Sequence, residues 1–153
     1  MTQNEQLTET LNDLIKINND RIVGYEKAAE QTTPSDADLT EIFQKMANES
    51  RSYKLELEDK LMENHQQTEN DTTVAGKLYR SWMTVKNMFT GSDRKSILAS
   101  CEFGEDAAQK AYDDALASDA EMDAETRQLI VKQKKSLKNS HDIIKKYRDV
   151  LPD

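Results

Sequence analysis

A single cysteine, Cys101, excludes any intrachain disulfide, so the fold does not depend on an oxidising compartment. Only two prolines and four glycines punctuate 153 residues, and long uninterrupted elements follow from that scarcity. Period-two runs of β-branched and aromatic residues are missing, which argues against a sheet. No apolar run approaches the length of a membrane span. No Gly-rich phosphate loop, nucleophile elbow or Cys-x-x-Cys pair is found. Positive charge is in short supply: the formal net charge is -8, which argues against a nucleic-acid backbone or an anionic membrane as partner. Residues 1–10 are polar and acidic, without the apolar core of a leader peptide, and the cytoplasm is the expected location.

What remains is suited to helices. Charged residues make up 33% of the chain and hydrophobic ones 36%, enough for one domain with a narrow apolar stripe on each helix. Helical spacing predicts elements over residues 5–31, 36–64, 74–89, 92–117 and 124–150. The first carries Leu7, Leu11, Leu14, Ile22, Tyr25 and Ala29 on one face. Pro34 ends it, since the residue before a proline is pushed out of the helical region. The second carries Leu39, Ile42, Phe43, Met46, Tyr53, Leu57 and Leu61. The short element over 74–89 is apolar on two sides, with Val74, Leu78, Trp82, Val85 and Phe89 opposite Tyr79 and Met83. A helix with two apolar sides needs two partners. It is expected to cross the bundle and to support a homo-oligomer contact around Trp82.

The long helices share one irregularity: each interrupts its apolar stripe near the middle. The interruptions are Asn18, Glu49 with Ser50, Glu102 with Glu105, and His141. A carboxylate facing a core is costly unless something pairs with it. The expected arrangement is an up-down-up-down four-helix bundle, in which both hairpin turns lie at one end. Counting from them puts Asn18, Glu49, Glu102 and Glu105 within about one helical turn of each other, with His141 slightly further out. Carboxylates and imidazole meeting inside a bundle are the ligand types of a di-iron or di-manganese site.

A set of short motifs carries a family resemblance. They are residues 11–15 (Leu-Asn-Asp-Leu-Ile), Gly24-Tyr25-Glu26, Val74-Ala75-Gly76, Trp82 with Lys86, Thr90-Gly91 and Ile97-Leu98-Ala99. Further on come Cys101-Glu102, residues 104–108 (Gly-Glu-Asp-Ala-Ala), Ala111-Tyr112 and Ser140-His141-Asp142. With these the chain resembles an uncharacterised bacterial family of four-helix-bundle proteins, a domain of unknown function grouped with the ferritin-like superfamily. The resemblance implies an all-α, ferritin-like bundle with an additional short helix between helices 2 and 3. It implies no established activity.

Ferritin-like oxidases are similar in taking a Glu from two helices and a Glu-x-x-His from each of the other two. Here Ser52 stands three residues after Glu49, and Lys138 three residues before His141. Glu102-x-x-Glu105 has the spacing but no histidine. The usual di-iron ligand set is therefore incomplete. Two readings follow. In the first, the chain is a non-catalytic structural or interaction protein whose mid-bundle residues form a hydrogen-bonded layer. In that layer His141 faces Glu102, while Asn18, Ser50 or Tyr112 satisfies Glu105. In the alternative, Glu49, Glu102, Glu105 and His141 hold iron or manganese in a protein linked to metal or oxidative-stress handling. The plainer reading is favoured because structural networks hold carboxylates as readily as metal sites do. Cys101 reads as a small core residue, with no base at a sensible spacing to activate it. The lysines over 132–138 read as a solvated face.

Overall fold

The computed structural model describes residues 3–63, 94–118 and 120–150. Four long α-helices account for nearly all of them: α1 (Gln3–Gln31), α2 (Ala37–Glu63), α3 (Arg94–Ala117) and α4 (Ala124–Asp149). The short helix expected over 74–89, and with it the Trp82 contact, lies outside the described residues.

Local chemistry sets the helix ends. Thr33 is extended (φ -87°, ψ 164°), and Pro34 opens a single 3-10 turn, Pro34–Asp36, that leads into α2. Proline suits that place because its missing N–H would be unpaired there anyway. Asp123 caps α4, its side chain accepting the Thr126 N–H at 2.7 Å. The backbone and hydroxyl of Thr126 hold the Asp123 carboxyl below its ordinary range, as expected of a carboxylate at a helix N-terminus.

Helix α1 packs along α2 and α3, α3 along α4, and α2 meets α4. Two apolar clusters fill the interior. One joins Leu7, Leu11, Leu14, Leu57, Leu61, Ala115 and Ile130. The other joins Tyr25, Leu39, Phe43, Ile97, Leu98, Cys101 and Ile144. Together they place the four stripes inside, as the helical spacing requires.

The clusters also fix the direction of each helix, and here the up-down-up-down order is corrected. The start of α3 lies beside the start of α2: Arg94 Nη1 reaches Asp36 Oδ1 at 3.0 Å, and Nη2 reaches Asp38 Oδ2 at 2.9 Å. At the opposite end Lys60 Nζ, near the end of α2, meets Glu125 Oε1 at the start of α4 at 3.0 Å. Helices α2 and α3 therefore run parallel, and the two short turns sit at opposite ends. The order is up-down-down-up. Counting outward from the turns assumed that the third helix begins where the second ends. Helix α2 has 27 residues, roughly 40 Å at 1.5 Å per residue. The chain between Glu63 and Arg94 is long enough to return over that distance. The mid-bundle level of the polar residues survives the correction, because each lies close to the midpoint of its helix.

Candidate functional site

Two polar groupings mark the middle of the molecule, one buried and one at the surface. The buried one begins with Arg21, 1% exposed, and Glu105, 0% exposed. Arg21 Nε donates to Glu105 Oε1 at 2.5 Å. Its Nη1 donates to Ser50 Oγ at 2.7 Å and to the Met46 carbonyl at 3.0 Å, and Nη2 lies 3.5 Å from Met46 Sδ. The Tyr25 hydroxyl donates to the same Glu105 oxygen at 2.7 Å. Ser50 Oγ then donates to Asn18 Oδ1 at 2.9 Å. Asn18 Nδ2 donates to the Leu14 carbonyl at 2.8 Å and to the Tyr112 hydroxyl at 2.9 Å. Tyr112 donates to Gln133 Oε1 at 2.6 Å. Gln133 Nε2 closes the chain on the Tyr53 carbonyl at 3.2 Å. One connected network thus draws side chains from all four helices.

Burial sets the ionisation of this layer. It pulls against the charge on Arg21, but Glu105, together with Tyr25 and Glu49, outweighs it and holds the guanidinium pKa above that of an ordinary arginine. Burial, reinforced by the Glu105 charge, pushes the Tyr25 phenol well above its ordinary range. Burial likewise raises Tyr112, with the Asn18 hydrogen bond opposing it. Both phenols stay protonated at physiological pH and act as donors. Glu105 Oε2 is buried and makes no hydrogen bond among the described residues.

The surface grouping lies on the seam between α3 and α4. His141 Nε2 stands 2.7 Å from Asp106 Oδ1, and His141 Nδ1 stands 3.3 Å from Asp142 Oδ1. Arg148 Nη1 reaches Glu102 Oε2 at 2.5 Å. Glu102, Asp106 and His141 each offer one ligand atom, and the three atoms lie within 4.8 Å of one another. Side-chain exposures of 15% for Glu102, 20% for His141 and 64% for Asp106 make this an open, half-wet arrangement.

The four residues singled out from the sequence are therefore divided. Glu102 and His141 come together, joined by Asp106. Glu105 turns inward to Arg21 and Tyr25. Glu49 is half-buried and accepts the Ser140 hydroxyl at 3.2 Å, and its charge also supports that of Arg21. The expected layer exists, with different partners: His141 faces Asp106, and Asn18, Ser50 and Tyr112 reach Glu105 through Arg21. Sequence reasoning passed over Arg21. Its signal was its position, seven residues after Leu14 and four before Tyr25, on the buried face of α1. The apolar stripe puts Ile22 in that place, and the structure leaves Ile22 half-buried.

A dinuclear centre of the ferritin-like kind needs carboxylates from all four helices and two inward histidines. At this level the described residues offer a guanidinium ion-paired with Glu105, the half-buried carboxylate of Glu49, the hydroxyls of Tyr25, Ser50 and Tyr112, the amides of Asn18 and Gln133, and no histidine in the network. A divalent ion on Glu105 Oε2 would stand against the Arg21 charge. The residues present do not fit such a centre.

A family model described as "Domain of unknown function (DUF2383)" matches residues 6–118. The chain belongs to this family. No curated protein matches it by sequence. Among solved structures it is similar to a mutant of Dps1 from Mycobacterium smegmatis, at 11% identity and a TM-score of 0.82, over 97% of this chain and 99% of that one. It is also similar to the bacterioferritin-related protein from Bacteroides fragilis, titled a dodecameric thioferritin. There the identity is 16% and the TM-score 0.75, over 94% of this chain and 84% of that one. At such identities the likeness concerns the fold alone: this member of the family is a ferritin-like four-helix bundle. No described helix is long and apolar enough to cross a membrane.

Proposed function

We propose that this chain is a non-catalytic ferritin-like bundle that acts through association with protein surfaces, in the cytoplasm. The observation that carries the reading is the closed central layer. Among the described residues it links all four helices through side-chain hydrogen bonds and spends the Arg21 charge on Glu105, and only Glu105 Oε2 is left over. Function then falls to the exterior. There Leu55 and Met62 are 63% and 70% exposed. Seven residues apart on α2, they share one face. Large apolar side chains this exposed suit a contact between copies of the chain, and one structural neighbour is titled a dodecamer.

Sedimentation velocity of the wild type beside Leu55→Glu/Met62→Glu tests the association. Concentration-dependent oligomers in the wild type, reduced in the double variant, are expected. A wild type that stays monomeric at every concentration ends the proposal. Added Fe(II) should be oxidised no faster than in buffer.

A second reading keeps a metal, iron or manganese, but moves it to the α3–α4 seam. The observation that favours it is the convergence of Glu102, Asp106 and His141 within 4.8 Å. Imidazole with two carboxylates suits manganese or ferrous iron, and such a mononuclear site would leave Glu49 and Glu105 to the central layer. Metal analysis of tag-free protein purified without chelator decides between the readings. Stoichiometric metal that disappears in Glu102→Gln/His141→Ala selects the second.

A further inference from the structure

We infer that the Arg21 guanidinium is the resident cation of the bundle centre, in a cradle built for a planar guanidinium and not for a divalent ion. The inference rests on the reading of the centre as metal-free and adds what takes the metal's place. Ferritin-like dinuclear proteins place metal between four helices at mid-bundle. In this chain the positive charge at that level is covalently tethered to α1.

The shape of the cradle follows the ligand. A guanidinium presents its donors as a rigid planar fork. Here the edges of the fork meet Glu105 Oε1, Ser50 Oγ, the Met46 carbonyl and Met46 Sδ. The guanidinium lies over the Tyr25 ring, whose centroid is 5.1 Å from Arg21 Cζ. An aromatic face and a thioether are good neighbours for a weakly hydrated, delocalised cation. They are poor ones for manganese or ferrous iron, which seek oxygen and imidazole ligands. Negative charge is supplied from two sides, by Glu105 on α3 and by Glu49 on α2, and both hold the guanidinium charged. A single side chain thereby ties α1 to α2 and α3 at one level, which is how a buried charge can fix register.

Chemical rescue tests this. Thermal unfolding is followed for wild type, Arg21→Ala, Arg21→Lys, Glu105→Gln and Arg21→Met/Glu105→Met. Each is measured with millimolar methylguanidinium chloride, with MnCl2 under matched ionic strength, or with neither. Arg21→Ala should melt on the order of 10 °C below wild type, as expected when one partner of a buried pair is removed. Methylguanidinium should recover part of that loss, in this variant and not in wild type or Glu105→Gln. MnCl2 should recover none of it. Should Arg21→Ala fail to fold, Arg21→Lys carries the test: it keeps the charge, loses the fork, and should still melt clearly below wild type. The paired methionine variant should exceed Glu105→Gln. Recovery of Arg21→Ala by MnCl2 as large as by methylguanidinium would overturn the guanidinium assignment while leaving the wild-type centre metal-free. No recovery by either, with Arg21→Lys as stable as wild type, also overturns it. Stoichiometric manganese in the wild type, lost in Glu105→Gln, would instead overturn the metal-free reading itself.

Discussion

Two arginine–carboxylate pairs in this bundle have the same separation and opposite surroundings. Arg21 and Glu105 meet at 2.5 Å with side chains 1% and 0% exposed; Arg148 and Glu102 meet at 2.5 Å with side chains 36% and 15% exposed. Distance alone would rank them equal. Around the first pair the medium is protein, water is excluded, and each remaining donor has to find a fixed partner. Around the second, solvent and salt screen the charges, and the arginine head can leave at little cost. The buried pair is no stronger a net stabiliser for being buried, because taking both charges out of water is expensive. What burial changes is the penalty for breaking the pair, and hence the structural commitment of the residues around it.

The contrast breaks most visibly if one partner is removed from each pair. Arg21→Met should cost about 3–5 kcal/mol, because Glu105 is left charged or must be protonated inside the core. Arg148→Met should leave the urea midpoint unchanged within error. Equal losses in the two variants, measured by equilibrium urea unfolding, would show that burial is not what separates them.

The rest of the central layer should respond in proportion to what each change orphans. Tyr112→Phe deletes the hydroxyl between Asn18 Nδ2 and Gln133 Oε1. Two buried polar groups lose a partner together, and a loss of about 1–3 kcal/mol is expected. A shift below a few tenths of a kcal/mol would mean that water replaces the hydroxyl and that the layer is looser than its distances imply.

The same contrast explains which features were legible in the sequence. The stripes built on Leu11, Leu14, Leu39, Phe43, Leu98 and Ile144 announced the bundle, because apolar periodicity encodes which side of a helix faces inward. The motifs around Glu102 and residues 104–108 announced the family. Chain direction was not legible. A stripe reads the same whichever end of the bundle the next helix starts from, and the direction shows only in contacts between residues far apart in sequence, such as Arg94 with Asp38. Arg21 was missed for a related reason. Arginine is a surface residue by default, and its partners, Ser50 and Glu105, come from other helices. Glu105 itself was singled out, since a carboxylate on an apolar stripe is an anomaly within a single helix. His141 was found as well, but its position on the edge of the α4 stripe could not say whether it faced the core or the seam. The structure turns it to Asp106.

At that seam smaller effects are expected. His141→Ala removes a partly exposed contact between α3 and α4, and in the absence of metal it should cost at most about 1 kcal/mol. The loss should shrink further in high salt. A loss comparable to that of Tyr112→Phe, measured in the same buffer, would show that the seam is part of the core and that the division between the two regions is drawn in the wrong place.

The smallest effect belongs to the ion pairs at the start of α2 and α3. Arg94 holds the Asp38 carboxyl below its ordinary value of 3.8, chiefly through hydrogen bonds to its side chain. Because the folded-state pKa is depressed, the pair's contribution is fully present above the unfolded-state value and is lost as pH falls through the folded-state value. Asp38 is half exposed, so the contribution should be at most about 1 kcal/mol. Asp38→Asn keeps the shape and removes the charge. Urea titrations of this variant and wild type should therefore differ slightly at neutral pH and converge as the pH falls below the ordinary aspartate range. A gap that stays constant through that range would assign the effect to packing or to the helix terminus, and would leave the direction of α3 to its apolar contacts alone. Convergence would make the start of α3 electrostatically guided, a surface device doing with weak, screened charges at the bundle's end what Arg21 does with unscreened ones at its centre.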